Sequence, residues 1–393
     1  MGTTGTAAGT AVITFTEAEL DPYVTHAPTR RWLTGPGLPG VGALLTFDTL
    51  RVAGLRTVAD STGDPGHGLA EDLRDQLVIG GLVGIDGPET ESVLLDGATG
   101  EITTTYFFHD RPDLMDRRPL APSLQTLLSF ATAADELAAL RGQFAAYAGR
   151  YGPEAVADAT AQLLALYESG TDGKVPPFWR LAAVIRPLAL IAGPGTRSGL
   201  ALDLPPRLLD DEFGSRRIVR FEDVDFPTAL THEPTRRFLR EVGLPEECAW
   251  FTLDTDAPLP TLTEHGADTP EAALPADAAH LIRLGHLVED TSLVVDGTTG
   301  AVLTWSGTDA RLRPLNADIS TLAVTLWLIQ HAKSLDTDHD LTEAYDQLAA
   351  TLTRTLAVLD PLSCDRTPAL PGDDGWRYWP GVFEDEAGGG LYA

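Results

Sequence analysis

The run Thr25-His-Ala-Pro-Thr-Arg-Arg-Trp-Leu33 returns as Thr231-His-Glu-Pro-Thr-Arg-Arg-Phe-Leu239, an offset of 206. Extended without gaps from 13–49 to 219–255, the two stretches share 15 identities in 37 positions, including Gly37-Leu-Pro39 against Gly243-Leu-Pro245. Farther on, Ile79-Gly-Gly-Leu-Val83 matches Leu284-Gly-His-Leu-Val288 at offset 205. Ser92-Val-Leu-Leu-Asp-Gly-Ala-Thr-Gly-Glu-Ile102 then matches Ser292-Leu-Val-Val-Asp-Gly-Thr-Thr-Gly-Ala-Val302 at 200, and Arg118-Pro-Leu120 matches Arg313-Pro-Leu315 at 195. The order is kept and the offset drifts by loop-sized steps, which is how two diverged copies of one domain behave. The chain is a tandem duplication. Its boundary is expected in the turn-rich Gly193-Pro-Gly-Thr-Arg-Ser-Gly199, read as a linker, giving copies 1–198 and 199–393. The second copy opens with Leu202–Phe213, for which the first has no counterpart.

Each copy reads as helix, strands, hairpin, helices. Thr231 is expected to cap a short helix, with Pro234 in its first turn and Gly243 as its left-handed stop. In the first copy Gly35 and Pro36 should end the helix sooner. The two aliphatic runs joined by Asp-Gly-x-Thr-Gly, at Asp96–Gly100 and Asp296–Gly300, predict hairpins with bulged loops. Helical spacing follows over 124–140 and 156–166, then over 319–329 and 341–359. In the last, Leu341, Tyr345, Leu348, Leu352, Leu356 and Leu359 form one apolar stripe, with Asp340 expected as N-cap. No alternating βαβ pattern occurs, so the fold class is α+β: two tandem homologous domains, each a mainly antiparallel sheet with flanking helices.

Composition bounds the function. The 393 residues carry 28 Lys and Arg against 57 Asp and Glu, a net charge of −29. Such a chain repels phosphate backbones and anionic lipid, so nucleic acid and membrane are disfavoured partners and a basic protein is favoured. At 43% hydrophobic residues there is material for sizeable cores, and two cysteines, Cys248 and Cys364, argue against a disulfide framework or a thiolate metal site. With no basic leader followed by an apolar run at 1–12, and with the longest apolar stretch, 181–192, broken by Arg186 and Pro187, a cytoplasmic protein is expected.

Catalytic chemistry finds little support. His26 and His232 are the histidines kept between the copies, and beside paired arginines each could hold a phosphate or move a proton. Neither has a nucleophile or a carboxylate pair at fixed spacing, and a place in the first helical turn accounts for both. Asp336-Thr-Asp-His-Asp340 begins like a calcium loop, but Leu341 stands where glycine must turn and Gln347 where a bidentate glutamate is needed. The glycine-rich 193–199 matches neither a Rossmann nor a Walker spacing. No catalytic residue, metal or cofactor is expected.

In their order and repetition, the Arg-Arg-Phe-Leu-Arg-Glu-Val-Gly-Leu-Pro helix, the Leu-Gly-His-Leu-Val strand, the Val-Val-Asp-Gly-Thr-Thr-Gly-Ala-Val hairpin and Arg313-Pro-Leu-Asn316 resemble the fourth branch of the SUKH superfamily of bacterial immunity proteins. The resemblance covers most of 202–383 and, in register, 13–127. It implies an α+β fold that binds and neutralises a cognate toxin, a nuclease or deaminase effector of a polymorphic toxin system, without catalytic residues. A general scaffolding or regulatory binding module on the same fold, and an enzyme using His232, are the alternatives. The charge is unevenly divided: 1–200 hold 23 acidic and 14 basic residues, net −9, and 201–393 hold 34 and 14, net −20. The second copy is therefore expected to carry the docking face, at Glu246, Glu247, Asp254 and Asp256 after the first helix and Glu289 and Asp290 beside the hairpin.

Overall fold

The computed structural model describes residues 12–40, 42–62, 68–84, 89–248, 250–255, 258–266, 274–287, 291–307, 311–366 and 375–385. Two compact units emerge: Met1–Ala146 with Ala161–Ala183, and Tyr147–Thr160 with Val184–Ala393. The dividing points 160/161 and 183/184 fall inside the helices Pro153–Gly170 and Pro177–Ile185. Each unit is built on an antiparallel sheet with helices beside it, so the α+β reading holds in both copies.

In the first unit, β1 (Val12–Ile13) pairs with β2 (Leu38–Pro39) around the helix Ala27–Thr34. The main sheet runs β3 (Leu45–Thr46), β5 (Leu77–Val83), β6 (Glu89–Leu95), β7 (Ile102–Thr105), β8 (Arg118–Ala121), with β4 (Arg56–Thr57) also on β5. β5 is nearly continuous in aliphatic residues and glycine, and all but two of its seven residues are buried, so it lies inside the sheet. One face packs Val58, Leu69, Leu73, Leu94 and Met115 into a core. The helix Leu124–Ala138, N-capped by the Ser123 hydroxyl accepting from the Thr126 amide at 3.1 Å, brings Phe130 edge-on to Tyr167 and Trp179. Trp179 is fully buried, and its Nε1 donates to the Leu120 carbonyl at 2.9 Å, which keeps the indole N–H satisfied.

The second unit repeats the plan. A hairpin of β9 (Gly193–Pro194) and β10 (Leu202–Asp203) comes first, then β11 (Ile218–Val219), which pairs with β12 (Leu244–Pro245) around the helix Glu233–Glu241. Its sheet runs β13 (Glu247–Cys248), β14 (Phe251–Leu253), β15 (Leu281–Leu287), β16 (Thr291–Asp296), β17 (Val302–Ser306), β18 (Arg311–Asn316). β5 and β15 each bear a bulge, between Val78 and Gly80 and between Arg283 and Gly285, and Leu94 and Val294 sit at equivalent places in the two cores. The repeat also runs on beyond the motifs seen in the sequence. Trp379, 200 residues after Trp179, is likewise fully buried and donates its Nε1 to the Asn316 side chain at 3.0 Å.

What ties the repeated motifs together is one contact made twice. The turn Asp96–Gly100 is closed by the Gly100 amide on the Asp96 carbonyl, while Asp96 Oδ1 accepts the amides of Ala98 and Thr99 at 2.8 and 2.9 Å. Gly100 takes φ +81°, and a Cβ there would lie 2.2 Å from His26 Nδ1. The His26 ring fills that space, its Nδ1 2.8 Å from the Thr29 hydroxyl. In the second unit Gly300 (φ +81°), His232 and Thr235 repeat this at 2.8 Å. The Thr-His and Asp-Gly-x-Thr-Gly motifs, some 70 residues apart in sequence, are two halves of one clamp.

Three local expectations need correction. His26 and His232, rather than the threonines before them, occupy the N-cap positions, and the Thr231 hydroxyl bonds to the Gly297 carbonyl at 3.2 Å. The last apolar stripe begins as a 3-10 turn, Leu341–Ala344, before the helix Tyr345–Leu359, and Asp340 does not cap it. Asp340 is left-handed (φ 50°) and closes the preceding helix Ile319–His339, while the Asp336 carboxylate accepts the Thr342 amide at 2.9 Å. Finally, 193–199 forms part of the ordered β9–β10 hairpin rather than a bare linker. The other helices follow the pattern: Ala27–Thr34 stops one residue before its equivalent, and Gly243 takes φ +80° behind Glu233–Glu241.

Candidate functional site

The site is built at one edge of the second unit's sheet. Among the described residues β13 pairs only with β14, Glu247 opposite Thr252 and Cys248 opposite Phe251, so it is the edge strand on that side. Ahead of it the Glu246 amide donates to the Arg217 carbonyl at 2.8 Å and its carbonyl accepts the Leu253 amide at 2.9 Å. The backbone is held from both directions, which leaves the Glu246 and Glu247 side chains exposed on a rigid support. Charge on a short edge strand also deters pairing with another strand.

These two glutamates line a cleft of about 530 Å³ with Glu212, Phe213, Arg217, Cys248, Gln330 and Lys333. Glu212 comes from the opening segment that only this copy has. His331, stacked on Trp327 at 4.7 Å, fixes it through an Nδ1 contact of 2.9 Å. Burial pushes the Lys333 ammonium below its usual range, and burial pushes the Cys248 thiol up to about 11, so the thiol is kept protonated and unreactive. Glu246 and Glu247, exposed beside the Phe213 ring, can meet a cationic side chain, while Glu212 is already held by His331 and the same wall carries Arg217 and Lys333.

The structure therefore brings Glu246 and Glu247 together and adds Glu212, whose only signal in the sequence was the extra opening segment. Asp254 stands apart. It is partly buried and ion-paired with Arg283 of β15, whose guanidinium is lowered by burial, so its charge is compensated inside the unit. Asp256, Glu289 and Asp290 lie outside the described residues.

The remaining candidates are occupied by structure. His232 is spent on the clamp with Thr235 and Gly300. In the β9–β10 hairpin, the amides that could cradle a phosphate serve the chain's own Asp203, which accepts from Ser198 N at 2.8 Å and Arg197 N at 3.1 Å. Burial would raise the Asp203 carboxyl, but the Ser198 and Arg197 donors outweigh it and hold it at about 2. Among the described residues no group of three His, Cys, Asp or Glu side chains is placed to hold a metal ion, and no helix is long and apolar enough to cross a membrane.

Comparison with known proteins agrees with the doubled architecture. A family model described as SUKH-4 immunity protein matches residues 3–167 and, again, residues 204–385, together most of the chain. No curated protein and no solved structure matches.

Proposed function

Because the chain belongs to the SUKH-4 immunity protein family, which implies toxin neutralisation, we propose that it works by binding alone, capturing a cognate bacterial toxin with a basic surface, a nuclease or a deaminase. The observation that carries this reading is the family match over both copies. Support comes from the charge, since net −20 over 201–393 would steer a basic protein toward the second copy and disfavour nucleic acid and anionic lipid as competitors. The cleft of Glu212, Glu246 and Glu247 is the proposed first contact, reached by a lysine or arginine of the toxin. In this reading the copies divide at 198/199, the protein acts in the cytoplasm, and neutralisation needs no catalytic side chain.

Co-expression with the toxin domain encoded beside this chain is the test. Cells carrying both should grow where the toxin alone kills, and equal killing with and without the protein removes the proposal. Reversing two charges, Glu246→Lys with Glu247→Lys, should slow association about 10- to 100-fold at low salt and leave little difference at high salt. An effect independent of salt would move the docking face elsewhere.

A further inference from the structure

The first unit carries a feature that the acidic cleft does not account for. Twelve residues, 106–117, join β7 to β8, whereas four join the equivalent β17 to β18. At the start of this longer loop the side chains alternate. Phe107 packs on the core of Val58, Leu69, Leu73, Leu94 and Met115, while Tyr106 and Phe108 turn outward, 48% and 39% exposed, with ring centroids 4.9 Å apart. Leu114 adds a third outward apolar side chain, 53% exposed, at the end of the 3-10 turn Pro112–Leu114. Scattered exposed apolar residues are ordinary, but here two aromatic rings lie against one another at the surface, with a third exposed apolar side chain in the same loop.

Ion pairs balance the charges of the loop around these side chains. Arg111 grips Asp113 through two nitrogens, both at 2.9 Å, and Arg118 and Arg117 contact Asp116 and Asp72 at 3.4 and 3.8 Å. Over 106–118 three arginines balance three aspartates. An electrically neutral group of aromatic and aliphatic side chains has the composition of an interface anchor. Self-association is the unfavourable way to cover it, because two chains of −29 each repel. A protein of opposite net charge meets no such barrier.

We infer that Tyr106, Phe108 and Leu114 form a second docking face for the toxin, one that reads an uncharged apolar patch and works independently of salt. The inference rests on the proposed function and adds to it: the acidic half sets how fast the toxin arrives, and the apolar loop sets how slowly it leaves.

The test is a set of binding kinetics with the toxin domain encoded beside this chain, at about 50 mM and about 500 mM salt, for wild type, Tyr106→Ser with Phe108→Ser, and Glu246→Gln with Glu247→Gln. The aromatic variant should raise the dissociation rate about 10-fold or more at both salt concentrations, and the acidic variant should change only association at low salt. Wild-type kinetics from the aromatic variant, where wild type binds, overturn the loop and leave the function standing. A wild-type protein that does not bind the toxin overturns the function and the loop with it. If sedimentation gives a wild-type dimer that the aromatic variant loses, the face belongs to a second copy and the inference fails. Leu114→Ser repeats the measurement should the double variant unfold early.

Discussion

In the first unit the amides of Thr25 and His26 point at the Gly97 carbonyl, at 2.8 and 2.9 Å; in the second those of Thr231 and His232 point at the Gly297 carbonyl, both at 2.8 Å. The clamp has stayed the same while the surfaces around it have parted: a neutral aromatic loop on one unit, a net charge of −20 over the second copy's residues. The difference teaches which constraints are shared. A turn glycine, a ring stacked where its Cβ would be and a carbonyl that accepts two amides depend on one another, so a change in any one spoils the others. Exposed loops and carboxylates have no such mutual dependence, and each copy was free to acquire its own.

The strongest attempt to break this equivalence is a methyl group at Gly97 or Gly297. A Cβ at Gly97 would lie 2.0 Å from the Tyr23 carbonyl oxygen, and one at Gly297 would lie 2.2 Å from that of Ala229; in neither case can a side chain move aside. Alanine at either position should cost about 3 kcal/mol in its own unit, read by urea denaturation with hydrogen exchange to locate the loss. Costs differing by more than about 1 kcal/mol would mean that one clamp has slackened.

Next in size is a feature that only the second unit has. Asp203, held at about 2 by the amides and side chains of Ser198 and Arg197, lies below the ordinary aspartate value near 3.8. A lowered folded-state pKa stabilises at neutral pH, with the contribution complete above about pH 4 and lost as pH falls toward 2. Asp203→Asn should therefore destabilise the second unit by about 1–2 kcal/mol at pH 7, after allowance for solvent screening, and the gap to wild type should narrow below about pH 4 and close as pH falls through 2. An unchanged gap across that range would show that the hairpin draws on packing rather than charge.

The smallest effect sharpens the comparison. Removing either ring, by His26→Ala or His232→Ala, forfeits one hydrogen bond to threonine and should cost about 1 kcal/mol in the unit concerned. Toxin neutralisation should be unaffected. A His232→Ala protein that melts like wild type but fails to protect cells would bring the acid/base reading back.

How far the sequence could be read follows from the range of the interactions involved. The hairpin turns were legible because Asp96 and Asp296 satisfy amides two and three residues away. The helix Tyr345–Leu359 was legible because its apolar spacing is local, and Leu348, Leu352 and Leu356 are fully buried as that spacing requires. The N-cap is not where the sequence suggests because the Gly297 carbonyl, far off in the chain, accepts the amides of both Thr231 and His232 and holds Thr231 ahead of the helix. The site was harder still. Glu246 and Glu247 could be nominated from charge, but Arg283 beside Asp254 and Glu212 across the cleft come from positions that no local pattern links to them.

By itself, then, the sequence determined that this is one α+β domain written twice, with its acidity gathered in the second copy, because repeats, turn chemistry and charge are properties of neighbouring residues and of counts. Only the tertiary structure decided that the two conserved motifs are halves of one clamp, that Asp254 is neutralised while Glu246 and Glu247 face solvent, and that Tyr106 and Phe108 stand outside their core. Those outcomes depend on which distant backbone and side-chain groups meet, and the packing of the sheet against its loops and helices sets that.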